Sequence, residues 1–243
     1  MIEVGFKSDK GIKRRNNEDA YFIVSSENVY VVADGVGGGN SGEIASRTAV
    51  TRIAEYVRDN PLDNISDDKA VTHYFLKCIN YAHEEICFEA SENSDNLGMA
   101  TTLVLAYISD MVAFIANVGD SRAYVCRGGG ITQITEDHTR VNDLVKNGII
   151  TPAQAKIHKD RNAITMALGV EIKPEPDFFR IELQENDVIL LCTDGLHSEV
   201  DDKSISEIAN NNDLTATEIC SKLVSIANRR GGHDNITVIA LRI

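Results

Sequence analysis

The most constraining feature of the sequence is a short apolar run that ends in a carboxylate and a series of glycines, Val29–Gly39 (VYVVADGVGGG). Val29–Ala33 is apolar apart from one tyrosine hydroxyl, and such a run before a turn signal is typical of a strand buried on both faces. The carboxylate of Asp34 at the end of this strand is costly unless a cation or a hydrogen-bond donor meets it. Taken alone, the pattern also fits an ordinary Asp-Gly turn.

The same design recurs at three other places in the chain. Val188–Asp194 is a second apolar run that ends in Asp-Gly, Asn17–Asp19 precedes the strand-like Ala20–Ser25, and Gly231–Asn235 precedes the strand-like Ile236–Leu241. If these strands are neighbours in one sheet system, their carboxylates converge. Converging carboxylates repel one another unless divalent cations neutralise them. The sequence therefore predicts a metal site where these strand ends meet.

Composition narrows the class of protein. The net charge of −13 argues against a nucleic-acid partner, because phosphate backbones repel such a surface. There is no apolar run of about 18 residues, which argues against a membrane span, and the N-terminus does not resemble a secretory signal. The five cysteines are scattered and form no C-x-x-C pair. This pattern predicts a reducing, cytoplasmic compartment and no zinc cluster.

Helical periodicity predicts long helices over Ser41–Asp59, Ser66–Glu92 and Thr215–Asn228. The last of these has a capping-box pattern, Thr215 with Glu218, and a glycine just past its end. Strands are predicted over the following ranges: Ile2–Phe6, Ala20–Ser25, Val29–Ala33, Thr101–Ile108, Val112–Val118, Arg122–Cys126, Ile131–Ile134, Phe178–Leu183, Val188–Cys192 and Ile236–Leu241.

The spacing of these strands favours antiparallel pairing. We predict a hairpin at the turn Ser26–Asn28, a three-stranded meander between Thr101 and Cys126, and a further hairpin that joins Phe178–Leu183 to Val188–Cys192. Because the long helices lie between blocks of hairpins, an α+β domain of stacked antiparallel sheets covered by helices is favoured. We expect one domain over residues 1–243, with an irregular flap at about 136–176 that contains small helices at Val141–Asn147 and Pro152–Ile157.

Six motifs together carry a family resemblance. They are RRNNEDA (14–20), ADGVGGGNSGE (33–43), GMATTLV (98–104), ANVGDSRAY (116–124), TDGL (193–196) and GGHDNIT (231–237). Present in this order over nearly the whole chain, they resemble the metal-dependent protein phosphatases of type 2C, and the bacterial branch in particular. The resemblance implies a four-layer α-β-β-α sandwich, in which two packed antiparallel sheets are flanked by helices and the metal centre lies at one edge.

The resemblance also implies two core ions, Mn²⁺ or Mg²⁺. Asp34 resembles the aspartate that bridges both ions, and the carbonyl of Gly35 resembles a backbone ligand of one of them. Asp194 and Asp234 look like ligands of the other ion. Ligation by oxygen alone suits Mg²⁺ and Mn²⁺ rather than zinc.

Three further acidic residues match weaker positions of the family pattern. Glu18 and Asp19 resemble the pair that binds the second ion directly or through its waters. Asp120 matches an aspartate that, together with Asp194, holds a third and weaker ion in bacterial relatives. A turn residue between two strands remains the alternative interpretation of Asp120.

Arg14 matches the family arginine that binds the substrate phosphate, since a guanidinium group offers paired donors to phosphate oxygens. The spacing R-x-x-N-E-D selects Arg14, so we interpret Arg15 as a solvated surface charge. In such a site a metal-bridging water or hydroxide attacks phosphorus in line, without a phosphoenzyme. The absence of a C-x₅-R pattern argues against the cysteine-dependent phosphatases.

The sequence departs from the family where a general acid is expected. Val36 stands where eukaryotic members often carry histidine, and Gly39 stands where many bacterial members carry one. Either a metal-bound water or His197 remains to protonate the leaving group. We favour water and place His197 in a loop without an assigned role. His138 and His158 are predicted to make hydrogen bonds within the flap rather than to bind metal.

The leading hypothesis is therefore a serine/threonine protein phosphatase that hydrolyses phosphoserine and phosphothreonine on proteins. A non-catalytic homologue that only binds phosphoproteins is the main alternative, but such proteins usually lack a metal ligand and this sequence retains all of them. A metal-dependent nuclease fits the two-ion chemistry but not the acidic surface. By resemblance, the expected partners include a bacterial Ser/Thr kinase, and nothing in the sequence requires more than a monomer.

Overall fold

The computed structural model describes residues 2–36, 41–62, 65 and 67–243. The strands are β1 (Glu3–Asp9), β2 (Asp19–Val24), β3 (Val29–Val36), β4 (Ala100–Thr101), β5 (Leu103–Ser109), β6 (Val112–Val118), β7 (Arg122–Arg127), β8 (Gly130–Gln133), β9 (Asp177–Glu182), β10 (Val188–Cys192) and β11 (Ile236–Arg242). The helices are α1 (Ser41–Asp59), α2 (Asp68–Glu92), α3 (Arg140–Lys146), α4 (Pro152–Ala155), α5 (Asp194–His197), α6 (Asp202–Ala209) and α7 (Ala216–Arg230), with a short 3₁₀ helix at Ser94–Asn96.

The strands form two antiparallel sheets. One has the order β1-β11-β10-β7-β8, and the other has the order β2-β3-β5-β6-β9, with β4 paired to β3. The first strand and the last strand of the chain are therefore neighbours in one sheet. This pairing brings the two ends of the described chain together.

Three apolar clusters define the layers. One lies between the β2-β3-β5-β6 face and helices α1 and α2, and it includes Ile53 and Phe75. A second lies between the other sheet and helices α6 and α7, and it includes Leu223. The third fills the space between the sheets, with Tyr30 and Ile189 among its buried residues. The predicted four-layer α-β-β-α sandwich is confirmed.

Several predicted elements are confirmed at their ends. Helix α1 has the predicted bounds, and α7 begins at the predicted capping box, in which Thr215 and Glu218 bond each other's backbone N–H groups. Gly231 ends α7 with a φ of +154°, a value that L side chains rarely adopt. Helix α2 begins at Asp68, after the N-cap residue Asp67. The predicted start at Ser66 lies outside the described residues.

Two predicted pairings are wrong. Strand β7 does not continue the β5-β6 hairpin as a meander but lies in the opposite sheet between β10 and β8. Strands β9 and β10 likewise do not form a hairpin, because β9 pairs with β6 and β10 pairs with β7 and β11. Sequence neighbours usually pair, but a short loop can also cross from one sheet of a sandwich to the other. The apolar pattern of the strands is the same in both cases.

The segment 136–176 contains helices α3 and α4, close to the predicted small helices. Two helices were not predicted: α5, a single turn directly after β10, and α6. Helix α6 begins at an N-cap aspartate, Asp201, whose carboxylate accepts the N–H of Ser204. Among the described helices, none combines the length and the apolar character needed to cross a lipid bilayer.

Candidate active site

The ends of four strands place the predicted acidic residues at one edge of the sandwich. Asp19 and Asp34 lie opposite each other in the β2-β3 pair. Asp194 follows the last residue of β10 by two positions, and Asp234 precedes the first residue of β11 by two positions. Since β10 and β11 are antiparallel neighbours, these two ends meet. Repulsion from each of the other three carboxylates, and from Asp120, acts on Asp34.

Burial and mutual repulsion raise the pKa values of these carboxylates. Burial, followed by the charges of Asp19 and Asp194, raises the pKa of Asp34 well above its usual range. Burial likewise raises the pKa of Asp19 to about 7, against the opposing effect of two threonine hydroxyls, and the pKa of Asp194 to about 6. The charged forms of these carboxylates are therefore disfavoured in the protein alone, and a bound cation would favour them.

Two oxygen atoms in this cluster are buried without a partner. They are Oδ1 of Asp19 and Oδ1 of Asp194. An unpartnered buried carboxylate oxygen is costly, so each requires a ligand that the described residues do not supply. No three aspartate, glutamate, histidine or cysteine side chains in the described ranges already form a group that could hold an ion. The oxygen-only donor set and the orphaned oxygens nevertheless fit hard divalent cations.

Gly35 and Glu18 sit where helix α1 packs against the end of β3. The N–H of Gly35 donates to the carbonyl of Glu18 over 3.1 Å, and a Cβ at Gly35 would collide with the carbonyls of Gly42 and Glu18. This close approach explains the glycine after Asp34. Burial raises the pKa of Glu18, partly offset by the positive charge of Arg14.

Arg14 reaches the same edge from the loop between β1 and β2. Its Nη2 donates to Oδ2 of Asp234 over 2.6 Å, and half of its side chain is exposed. Asp234 uses its other oxygen to accept the N–H of Asn235 over 2.8 Å. Because only one guanidinium nitrogen has a partner among the described residues, the remaining donors face the open side of the site. Arg15 is exposed.

Asp120 is buried beside the cluster at the loop between β6 and β7. Burial, and then the charge of Asp194, raises its pKa to about 7. Its carbonyl accepts a hydrogen bond from Nε2 of His197 over 3.0 Å. The prediction that His197 lies in a loop is wrong, because it lies in helix α5. Burial lowers the pKa of His197 to about 3, so the imidazole is neutral near pH 7.

The two flap histidines make the hydrogen bonds that were predicted for them. Nδ1 of His138 accepts the N–H of Gly119 over 3.1 Å, so its Nε2 donates to Asp177 over 3.0 Å. His158 accepts the N–H of Asp160 within the flap. Val36 is exposed at the end of β3 and carries no proton donor. The position of Gly39 lies outside the described residues.

Sequence reasoning missed the polar residues that hold the acidic residues in place. The hydroxyls of Thr193 and Thr237 both donate to Oδ2 of Asp19, over 2.9 and 2.7 Å. The side chain of Asn235 accepts the N–H of Glu18 and donates to two backbone carbonyls in the loop between β1 and β2. The available signal was the recurrence of Thr and Asn beside the two aspartates in the motifs TDGL and GGHDNIT.

A cleft of about 1090 Å³ opens from this edge. Its lining includes Asp120, Asp194 and Asp234, together with flap residues such as Thr139 and Arg161. The Arg122 guanidinium lies at the cleft and binds Asp137 through two hydrogen bonds of 2.8 and 2.6 Å. The flap and the acidic edge therefore share one opening.

Comparison with known proteins agrees with this geometry. The family model described as Protein phosphatase 2C matches residues 12–215. The serine/threonine phosphatase stp of Listeria monocytogenes is 35% identical over 237 residues, which cover 96% of this chain and 93% of that protein.

Solved structures give the same result. The serine/threonine phosphatase PstP/Ppp of Mycobacterium tuberculosis is 33% identical and superposes with a TM-score of 0.89, covering 100% of this chain and 98% of that one. A catalytic domain of PstP in complex with two manganese ions is 32% identical, with a TM-score of 0.86, and the match covers 99% of this chain and 97% of that domain. The chain belongs to the protein phosphatase 2C family.

Proposed function

We propose that this protein is a metal-dependent serine/threonine protein phosphatase that hydrolyses phosphoserine and phosphothreonine on proteins. The observation that carries the proposal is a cluster of aspartates, two of them with a buried oxygen that has no partner, beside a half-exposed arginine. The relatives named serine/threonine phosphatases support the same activity.

The carboxylates of the acidic edge would hold divalent ions. Asp34 would serve two ions as the bridging ligand, Asp194 and Asp234 would hold one of them, and the carbonyl of Gly35 would serve the second. Glu18 and Asp19 would hold the second ion directly or through water, and Asp120 with Asp194 would offer a weaker third position. When bound, Mn²⁺ or Mg²⁺ activates water as a nucleophile and offsets charge on the phosphate.

The protein's own groups orient the reaction. Arg14 would bind two oxygens of the substrate phosphate in place of Asp234 if that carboxylate held a cation, since a guanidinium matches phosphate geometry. Thr193 and Thr237 fix the orientation of Asp19. The neutral imidazole of His197 is committed to the carbonyl of Asp120. His197 therefore does not protonate the leaving group, which supports the preference for water as the acid.

The cleft beside the site supports a polypeptide substrate. We propose that residues 1–243 act as one catalytic domain, that the flap at 136–176 takes part in recognising the phosphoprotein, and that the enzyme works as a monomer. A reducing, cytoplasmic setting is supported by the five cysteines, which are all free thiols. We propose that a bacterial Ser/Thr kinase phosphorylates the substrate proteins and is itself one of the substrates of this phosphatase.

Hydrolysis of a phosphothreonine peptide after removal of metal, with and without added Mn²⁺, tests this function. We expect phosphate release only with Mn²⁺ or Mg²⁺. An Arg14→Ala variant should raise KM far more than it changes metal binding, because in the proposed complex the guanidinium binds the substrate phosphate instead of Asp234. The non-catalytic alternative predicts no release under any metal condition, and equal rates with and without metal would overturn the metal-dependent mechanism.

A further inference from the structure

The loop that delivers Arg14 carries more positive charge than phosphate binding requires. Lys10–Arg15 (KGIKRR) has four cations and no acid in six residues, in a protein whose net charge is −13. Lys10, Lys13 and Arg15, here called the basic rim, are all exposed. Such a concentration of one charge beside a site attracts ligands of the opposite charge.

The backbone of this loop is fixed to the active-site edge. The N–H groups of Ile12 and Lys13 both donate to the carbonyl of Gly232, over 2.9 and 3.0 Å, and Nδ2 of Asn235 donates to the carbonyl of Lys10 over 2.8 Å. Gly11 has a φ of +77°, which a glycine adopts without strain. Gly232 and Asn235 flank Asp234, so the basic rim is held next to a metal ligand.

Within the part of the chain that the structure describes, no acidic side chain pairs with the basic rim. Over the described ranges, Arg14 forms an ion pair within 4.0 Å, whereas the three cations of the rim do not. The neighbouring acid Asp9 accepts from the N–H of Gly11 and from Asn228 instead. Nor would the acidic centre require them, because two divalent ions together with Arg14 would bring five positive charges to the five carboxylates assigned to the core.

We propose that the basic rim binds negatively charged groups that flank the phosphorylated residue of a substrate polypeptide. The inference rests on the proposed function and adds a substrate class, namely acidic or multiply phosphorylated segments. With the phosphate held by Arg14, a residue one to three positions away lies about 3–11 Å along an extended chain. The long side chains of Lys10, Lys13 and Arg15 start from the same loop as Arg14 and would meet such a residue, the two lysines as point charges and Arg15 as a planar set of donors.

The test uses the full chain with Mn²⁺ and a triple variant, Lys10→Ala, Lys13→Ala and Arg15→Ala. These substitutions leave Arg14 and the backbone hydrogen bonds of the loop intact. Substrates are a phosphothreonine peptide flanked by glutamates, the same peptide with glutamines, and one flanked by a second phosphothreonine. We expect KM for the glutamate peptide to rise about tenfold with kcat unchanged, from three exposed charge pairs of modest strength. For the glutamine peptide, KM should change less than about twofold, a difference smaller than one such pair gives.

A matched control separates local binding from net charge. The variant Lys69→Ala, Lys77→Ala, Lys222→Ala removes three exposed lysines from helices α2 and α7, and we expect it to leave all three peptides unaffected. The difference in KM between the glutamate and glutamine peptides should also shrink as ionic strength rises from about 0.1 to about 1 M, because the screening length falls from about 10 to about 3 Å. If the rim substitutions raise KM more for the doubly phosphorylated peptide than for the glutamate peptide, the anion that the rim binds is assigned as a second phosphate group.

Different failures have different meanings. If the rim variant hydrolyses the glutamate and glutamine peptides with unchanged or equally changed KM, the rim proposal is wrong while the phosphatase function stands. An equal rise in KM for the glutamate peptide in the control variant would also overturn the rim proposal. If the unaltered protein releases no phosphate from any peptide with Mn²⁺, both proposals are wrong.

Discussion

Buried aspartates occur in two regions of this molecule with opposite surroundings. Asp187, in the turn before β10, is 1% exposed, and Arg127 binds both of its oxygens over 2.8 and 2.6 Å. The N–H of Gln184 adds a third donor over 2.8 Å. At the acidic edge, Asp19 and Asp194 each have a buried oxygen without a partner, and other carboxylates surround them.

The difference separates a structural carboxylate from a functional one. The chain itself completes the hydrogen bonding of Asp187, so its burial contributes to the folded state. The acidic edge is incomplete without positive charge from outside the chain, and burial there raises the pKa of the carboxylates instead. Clusters of this kind mark functional sites more often than isolated buried charges do.

The largest expected effect comes from neutralising one carboxylate of the edge. Asp194→Asn should lower the rate of phosphopeptide hydrolysis with Mn²⁺ by about a thousandfold, because a bound metal supplies several kcal/mol to the transition state. The same variant should raise the melting temperature of the metal-free protein, since it removes repulsion. Steady-state kinetics and thermal unfolding in a chelator measure the two effects.

Asp187→Asn is the matched control for that variant. It places an amide opposite the donors of Arg127 and Gln184, so it should lower the melting temperature and leave kcat of the folded enzyme unchanged. If both variants changed stability in the same direction, the distinction between the two regions would be wrong.

The next effect is a dependence of stability on pH that metal removes. The pKa values of Asp19 and Asp120 are raised to about 7 and that of Asp194 to about 6, against about 3.9 in an unfolded chain. Between these values the folded protein holds more protons than the unfolded chain, so the free energy of unfolding falls as pH rises. One group shifted in this way lowers the free energy of unfolding by about 3 kcal/mol from pH 4 to pH 7, so we expect a fall of at least that size in chelator.

Denaturant unfolding across that pH range measures the slope. Mn²⁺ should flatten it, because the ions offset the charges that appear as the carboxylates lose their protons. A metal-free protein that becomes more stable over the same interval would show that the edge carboxylates are satisfied within the chain.

The smallest effect concerns the structural pair. Arg127→Ala leaves Asp187 buried with only the Gln184 donor, and we expect a loss of about 2 kcal/mol in the free energy of unfolding, less than for a fully buried pair because Arg127 is 37% exposed. Metal binding and kcat should not change. Loss of Mn²⁺ affinity in this variant would mean that the two regions are coupled.

The sequence predicted the layers and the convergence of the acidic strand ends better than the strand pairing. Apolar runs with terminal aspartates located β3, β10 and the acidic edge, because burial and charge are local properties of a segment. Whether the loop after β6 turns back or crosses to the other sheet depends on which edge is free, and that is a property of the whole sandwich. The wrong pairings predicted for β7 and β9 have this cause, since each strand lies in a different sheet from the neighbour predicted to pair with it.

The supporting residues of the site were harder to predict for a similar reason. Thr193 and Thr237 are separated from Asp19 by 174 and 218 residues, and only the folded sheets bring their hydroxyls to its Oδ2. His197 looked like a loop residue because α5 is a single turn, too short for helical periodicity to show.

The most direct test of the central claim is calorimetric titration of the metal-free protein with Mn²⁺ near pH 6.5, in two buffers of different ionisation enthalpy. The account predicts saturable binding of two ions accompanied by release of protons, since carboxylates with raised pKa values must lose them to become ligands. Binding of no ion, or binding of two ions without any proton release, would contradict it.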